Sequence, residues 1–340
     1  MSEAAAAGQR DRRGDWRPAK PISAAPLYGW PPRPRAALKW FLGFPGYLWP
    51  WNVSYVVVAV LTWVYLTPAM ADMKTFAAGW IAVILGRNCA LMLLVYGAWH
   101  VRLYVQKRQG LDYKYTSRWP ATDNPTFLFR RQVLDNIFWT LGSALPIWTG
   151  YEVVTLWAQA NGFLPYVAWA DHPVWCALLM LVIPAWRDVH FYLVHRLIHW
   201  PPLYRSVHSL HHKNVDPGPW SGLAMHPVEH LLYFSGVLLH WVLPSNGLHV
   251  VFHLQHLAFV PAQGHAGFAK LRVADTAAIE TGNYMHYLHH RYFEVNYGSD
   301  IVPIDQWCGT WHDGSEAAEG RMNARLRVRA ERMAARKPRA

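Results

Sequence analysis

Four stretches of this chain are too long and too apolar to be ordinary surface helices. A helix needs roughly 20 residues to cross the hydrocarbon of a bilayer. Lipid offers no partner to a free backbone N–H or C=O, so such stretches must be helical. Residues 52–70, "NVSYVVVAVLTWVYLTPAM", meet the length. Residues 77–105 do so despite Arg87, Asn88 and His100, and 134–159 form a third run. A fourth starts near Pro173 in "PVWCALLMLVIPAW" and continues into "RDVHFYLVHRLIHW". Two shorter runs, 231–243 and 247–261, flank "LPSNG" and predict a re-entrant or short helical hairpin. The expected fold is therefore all-α and polytopic, with about four transmembrane helices and that hairpin.

Charge orients these spans. Residues 1–36 carry seven Lys/Arg against three acids, and 321–340 carry eight against one, so the two ends account for the whole net charge of +11. Beside membrane-like segments, basic ends point to anionic lipid headgroups rather than to nucleic acid. The stretch 102–131 holds Arg102, Lys107, Arg108, Lys114, Arg118, Arg130 and Arg131, whereas 69–76 has only Lys74 and 160–172 has no Lys or Arg. By the positive-inside rule the N-terminus, the 106–131 loop and everything after the fourth span are cytoplasmic. Residues 1–36 read as a disordered basic tail, 37–180 as the transmembrane helices and 313–340 as a basic C-terminal tail. Cys89, Cys176 and Cys308 show no CxxC spacing, which argues against a disulfide framework or a thiolate zinc site.

Histidine is the second signal. Of 19 histidines, 17 fall between 190 and 312. They recur as "HRLIH" (195–199), "HSLHH" (208–212) and "HYLHH" (286–290). Residues three or four apart share a helical face, so His195 faces with His199, His208 with His211 and His212, and His286 with His289 and His290. His190 lies off that face. Eight imidazoles exceed what one metal takes and suit two metals with about four or five nitrogen ligands each. Such a set fits iron, zinc or copper, not magnesium or calcium. A structural zinc site is usually closed and thiolate-rich.

With these motifs the chain resembles the sterol desaturase/fatty acid hydroxylase superfamily of integral-membrane di-iron oxygenases, whose pattern is HX3H, HX2HH, HX2HH. "DVHFYLVHR" resembles the family's D-x-x-F-Y-W-x-H-R, with Leu193 where Trp is usual. "LYRSVHSLHHKN", "AMHPVEH" and the closing "NYGSDIVPIDQWCGTWH" resemble further family stretches, and the likeness runs from about 180 to 312. The resemblance implies a cytoplasmic histidine-rich helical domain, 181–312 with the hairpin 231–261 inside it, holding two iron ions. It implies His195, His199, His208, His211, His212, His286, His289 and His290 as ligands. His226 of "HPVE" and His265 of "QGHAGF" match additional family histidines expected to complete the coordination. The implied reaction uses O2 to hydroxylate or desaturate a lipid, with electrons from a separate carrier, ferredoxin or cytochrome b5-like, and its reductase. The HX3H spacing leans toward the sterol-desaturase side.

Two rival readings use the same residues. A zinc-dependent membrane hydrolase needs a general base such as that of HExxH, which the sequence lacks. A non-catalytic metal or haem carrier needs far fewer histidines. Around the ligands, Asp188, Glu229 and Asp305 are the nearby acids able to take the second imidazole N–H; for each, pairing with an arginine such as Arg196 or Arg291 is the stronger expectation. Asn283 is expected to cap or turn the chain, and His230, His253 and His256 to be structural. Trp186, Tyr192, Trp200 and Trp220 are candidates for an apolar slot, with interfacial anchoring as the simpler role.

Overall fold

The computed structural model describes residues 8–335 except 12 and 276. Helix α1 (Pro34–Leu42) buries none of its residues, and Ala37, Trp40 and Phe41 lie on the face opposite Arg35 and Lys39, the layout of a helix lying in a membrane interface. Helices α2 (Val53–Leu66) and α3 (Ala78–His100) follow, then α4 (Gln132–Trp139) and α5 (Leu145–Ala160), joined by a widened turn at Thr140–Ala144. Helix α6 (Pro173–Ile198) is the longest, and Pro184 sits inside it. The short α7 (Ser209–His212), α8 (Pro227–Phe234), the buried α9 (Gly247–Gly264), α10 (Tyr284–Tyr292) and the terminal α11 (Glu316–Ala335) complete the helices used below.

Three helices among the described residues, Leu48–Leu66, Ala78–Val105 and Pro173–Ile198, are long and apolar enough to cross a membrane. The expected fourth, over 134–159, differs for a visible reason. Its inward face is polar: Asp135, Asn136, Thr140, Ser143, Thr149, Glu152 and Gln159 are all buried. Glu152 is ion-paired to Arg87 of α3 and accepts from Asn88 Nδ2 at 2.9 Å. A buried charge is tolerated in such a place only with its partner supplied.

The stretches either side of residues 243–246 are helical, over Pro227–Trp241 and Gly247–Gly264. Helix α9 is enclosed by α2, α3, α5 and α6 and buries Val250 to Phe259 without a break. It is the axis around which the other helices pack, joined by Trp148, Tyr96, Ile84 and Phe234 in one apolar core. Two small antiparallel hairpins accompany the helices, Gly8–Arg10 with Trp16–Pro18 and Lys270–Ala274 with Ala277–Glu280.

Within the described residues, segments near both basic ends are fastened to the histidine region. Trp16 is buried among Tyr113, Tyr115, Tyr284, Tyr287 and Met322 of α11. Arg291 of α10 reaches Asp15 at 3.2 Å and Glu319 at 3.5 Å. The few acids of the two basic ends thus meet a cation of the histidine region, and one aromatic residue supplies the apolar anchor.

Candidate metal centre

Nine histidines converge at the end of α6. Their candidate ligand atoms fall into two groups, His195, His199, His208, His212 and His289, and His211, His265, His286 and His290, each within 4.8 Å of one another. The groups adjoin, since the His212 and His290 rings lie 4.9 Å apart. Helical geometry explains the division. Successive residues are rotated by about 100°, so in each HX2HH motif the first and last histidines look one way and the middle one another. His208 and His212 enter the first group while His211 enters the second. In "HYLHH" the exchange is reversed: His286 and His290 enter the second group and His289 the first. Spacing alone places all three members of each motif on one face; the structure divides them. His265, at the end of α9, supplies what the second group lacks.

Ring orientation is fixed from behind. A backbone carbonyl can only accept, so the His195 Nδ1–H donates to Tyr297 O at 2.7 Å, His289 to Val295 O at 2.7 Å and His265 to Pro261 O at 3.0 Å. His208 Nδ1 is 2.8 Å from Glu229 Oε1. Each of these leaves its Nε2 with a bare lone pair directed inward. His195 and His208 then present Nε2 to Nε2 at 3.2 Å, a contact that two lone pairs cannot hold alone. The three Nε2 atoms of His199, His212 and His289 stand 3.0 to 3.2 Å apart in a triangle. His265, His286 and His290 repeat it at 2.9 to 3.2 Å. A ring nitrogen is either donor or acceptor, so no assignment of protons satisfies an odd triangle. A cation at its centre does, and the donor set fits a metal of the iron, zinc or copper kind.

Burial keeps these imidazoles neutral. It holds His211 down to about 4 and, with the neighbouring Arg196 charge, His199 down to about 3. The same burial pushes the Glu229 carboxyl up, and a cation held by His208 would oppose that and favour the carboxylate.

Among the described residues, Asp188 and Asp305 bind backbone N–H groups and form no ion pair with arginine. Asp305 accepts from the N–H groups of Tyr297 at 2.9 Å and Gly298 at 2.8 Å. Asp188 accepts from Ser299 at 2.6 Å and Val302 at 2.7 Å. Together they hold the loop whose Tyr297 carbonyl aims His195. Gly298 is needed there, because a Cβ would meet Asp305 Oδ2 at 3.1 Å and Asp188 Oδ1 at 3.3 Å. Arg196 instead lies over the Tyr297 ring.

His226 joins neither group; its Nδ1 accepts from Val228 N at 3.2 Å and caps α8. His230 is held by Ser143 Oγ at 2.9 Å and Leu223 O at 3.1 Å, His253 by His240 and His256 by Asn52. His190 faces Ser235. Asn283 donates to Gln263 O at 2.9 Å and accepts from Tyr115, tying α10 to α9. Trp220 packs on Tyr96, Trp186 bonds Gly236 O, Tyr192 is buried, and Trp200 is exposed. An apolar cavity of about 590 Å3 is lined instead by residues such as Tyr47, Val56, Met180, Pro184 and Phe252. The carbonyls of Tyr297, Val295 and Pro261 and the stacking of Phe191 on His195 at 4.8 Å had no sequence signal, since a carbonyl belongs to every residue.

Residues 179–310 match the fatty acid hydroxylase family. A Delta(7)-sterol 5(6)-desaturase of Aspergillus fumigatus is 29% identical over 175 residues, 45% of this chain and 54% of that protein. One from Gibberella zeae is 31% identical over 148 residues, 40% of this chain and 42% of the relative. A probable Delta(7)-sterol 5(6)-desaturase of Neurospora crassa is 26% identical over 212 residues, 60% and 59% of the two chains. The chain spans about half the length of the curated relatives it matches. No solved structure matches it.

Proposed function

We propose, from the match of residues 179–310 to the fatty acid hydroxylase family, that the chain is a membrane-bound, O2-dependent di-iron lipid oxygenase. The observation that carries this reading is the pair of converging imidazole groups, five and four strong, whose inward nitrogens cannot satisfy one another. His195, His199, His208, His212 and His289 would hold one iron, and His211, His265, His286 and His290 the other; His226 is a remaining candidate, one that would have to leave its cap on α8.

When bound, the irons would supply reductive activation of O2. With two electrons and two protons, a lipid C–H then becomes C–OH plus water, or two adjacent C–H bonds become an alkene plus two waters. The chain's own contribution is orientation and exclusion. The carbonyls of Tyr297, Val295 and Pro261 and the Glu229 carboxylate lock four rings in the ligating tautomer. Phe191, stacked on His195, and Phe293, whose ring lies 4.8 Å from that of His212, cover the ligands with apolar surface. The substrate is a sterol-like or other lipid, reached from the bilayer. Electrons come from a separate ferredoxin or cytochrome b5-like protein with its reductase. Charge distribution supports cytoplasmic termini and a cytoplasmic metal site.

The test is a comparison of lipids extracted from aerated cells with and without the chain. The expected result is a species heavier by one oxygen atom or lighter by two hydrogen atoms, absent with His208→Ala. Full product from that variant would refute the ligand assignment.

A further inference from the structure

The two groups of imidazoles differ in what covers them. His199 is the one half-buried member of the first group, and His286 of the second. Each marks where its group comes nearest to the surface. Two tyrosines stand at the first place. The Tyr297 ring lies 4.9 Å from His199, 5.4 Å from His289 and 5.6 Å from His195. The Tyr204 ring lies 5.4 Å from His199, 5.7 Å from His212 and 6.1 Å from His208. Between them they meet all five rings of that group. At the second place stands Phe191, 6.2 Å from His286. Among the described residues, no other ring outside the histidines reaches the second group.

The tyrosines lead outward to positive charge. The Arg196 guanidinium lies 4.7 Å over the Tyr297 ring. Arg196 is exposed, and so is Arg205, the residue after Tyr204. The cations that directly follow the other two motifs are already engaged, Lys213 with Asp135 at 2.8 Å and Arg291 with Asp15 at 3.2 Å. Arg196 and Arg205, among the described residues, form no ion pair. Leu197 and Trp200, 51% and 59% exposed, add apolar surface beside His199 in the chain. Unpaired charge and open apolar side chains thus gather on the side where tyrosine rings back the five-histidine group.

We propose that this face is where an acidic one-electron carrier protein docks, and that the Tyr297 and Tyr204 rings conduct its electrons to the five-histidine group. The inference rests on the lipid oxygenase reading and locates the meeting with its electron partner. Electron transfer weakens steeply across empty space and less through packed atoms. A ring that touches both ligand imidazoles and a surface cation is therefore the short path. Each encounter moves one electron: the carrier is oxidised by one, ferric iron is reduced to ferrous, and neither tyrosine loses an electron or a proton. Two encounters supply the two electrons that oxidation of a C–H bond with O2 requires. Redox encounters use small interfaces, less than about 1,200 Å2 of buried surface, and complementary charge speeds them. The His286 side, faced by an apolar ring, is left for the lipid.

The test is anaerobic stopped-flow mixing of the iron-loaded protein, in nanodiscs of phosphatidylcholine alone, with a prereduced acidic ferredoxin or the soluble domain of an acidic cytochrome b5. The carrier's own absorbance reports its oxidation. Binding affinity and iron content are measured in parallel, and reduced methyl viologen serves as a small reductant that needs no docking. For at least one carrier, Arg196→Glu and Arg205→Glu should each slow association about 10-fold or more and flatten its salt dependence. Iron content and reduction by methyl viologen should not change. Tyr297→Leu keeps the carbonyl that aims His195 and should slow the electron-transfer step several-fold without weakening carrier binding; Tyr297→Phe, which keeps the ring, should restore it. Carrier binding and oxidation indifferent to both arginines would assign them to lipid headgroups and overturn the proposal. No binding of either carrier, or equal slowing with methyl viologen, would overturn it as well. A chain that binds a carrier through these arginines yet holds no iron would instead sink the oxygenase reading and leave the docking face standing.

Discussion

Two populations of buried histidine sit within one helix bundle and behave differently. At the metal centre, nine imidazoles turn Nε2 toward one another at 2.9 to 3.2 Å in sets that cannot all be hydrogen bonds. In the helical core, His230 lies between Ser143 Oγ and Leu223 O, and His249 between Asn246 N and Cys176 O. These rings have a distinct partner on each nitrogen. Burial is high in both places and lower at the metal centre, where His199 and His286 are half-buried, so burial does not make a ligand. What separates them is whether the lone pairs converge, and for His195, His208, His265 and His289 that follows from the carbonyl or carboxylate that holds Nδ1 from behind.

The sharpest way to break this contrast is to remove one member of each population. His289→Ala opens the His199–His212–His289 triangle, and loss of at least one metal with all lipid oxidation is expected, measured by elemental analysis and product assay. Acidification comes next. His211 in the fold titrates near 4, below its ordinary value of about 6.5. The unfolded chain therefore binds the proton first, and stability falls as pH drops through that window. Metal release over the same range is expected in a pH titration of retained metal, because a ligating imidazole must be neutral. Glu229→Gln leaves His208 without its carboxylate, and metal affinity should fall about 10- to 100-fold in a chelator competition. Gly298→Ala crowds Asp305 and Asp188 and should cost about 1 kcal/mol in thermal unfolding, with a smaller loss of metal affinity. His230→Ala removes two buried hydrogen bonds, costs about 1–3 kcal/mol of stability, and should leave metal content unchanged. Metal loss in that last variant would erase the distinction between the two populations.

Much of the centre was legible because its chemistry is carried by residue type. Three motifs of histidine at helical spacing announce themselves in any frame, and eight of the nine converging rings come from them. His265 had only its neighbours "QG" and "AGF" to mark it, and His226, similar by the same standard, turned out to cap α8. What spacing could not show was the split within each HX2HH, because facing neighbours at i+3 and i+4 look alike until a second site exists to receive one of them. The spans were legible by apolar length except over 134–159, where the polar face is hidden against α3 and α9. The basic ends misled for a related reason: net charge averages over Trp16, Asp15 and Glu319, the residues that fasten them.

The most direct test of the central claim is the metal content of the chain, expressed in iron-replete cells and purified without oxygen. Close to two irons per chain, falling in His208→Ala and His289→Ala but not in His230→Ala, is the predicted result. A chain with no bound metal, or with a haem spectrum in place of non-haem iron, would contradict it.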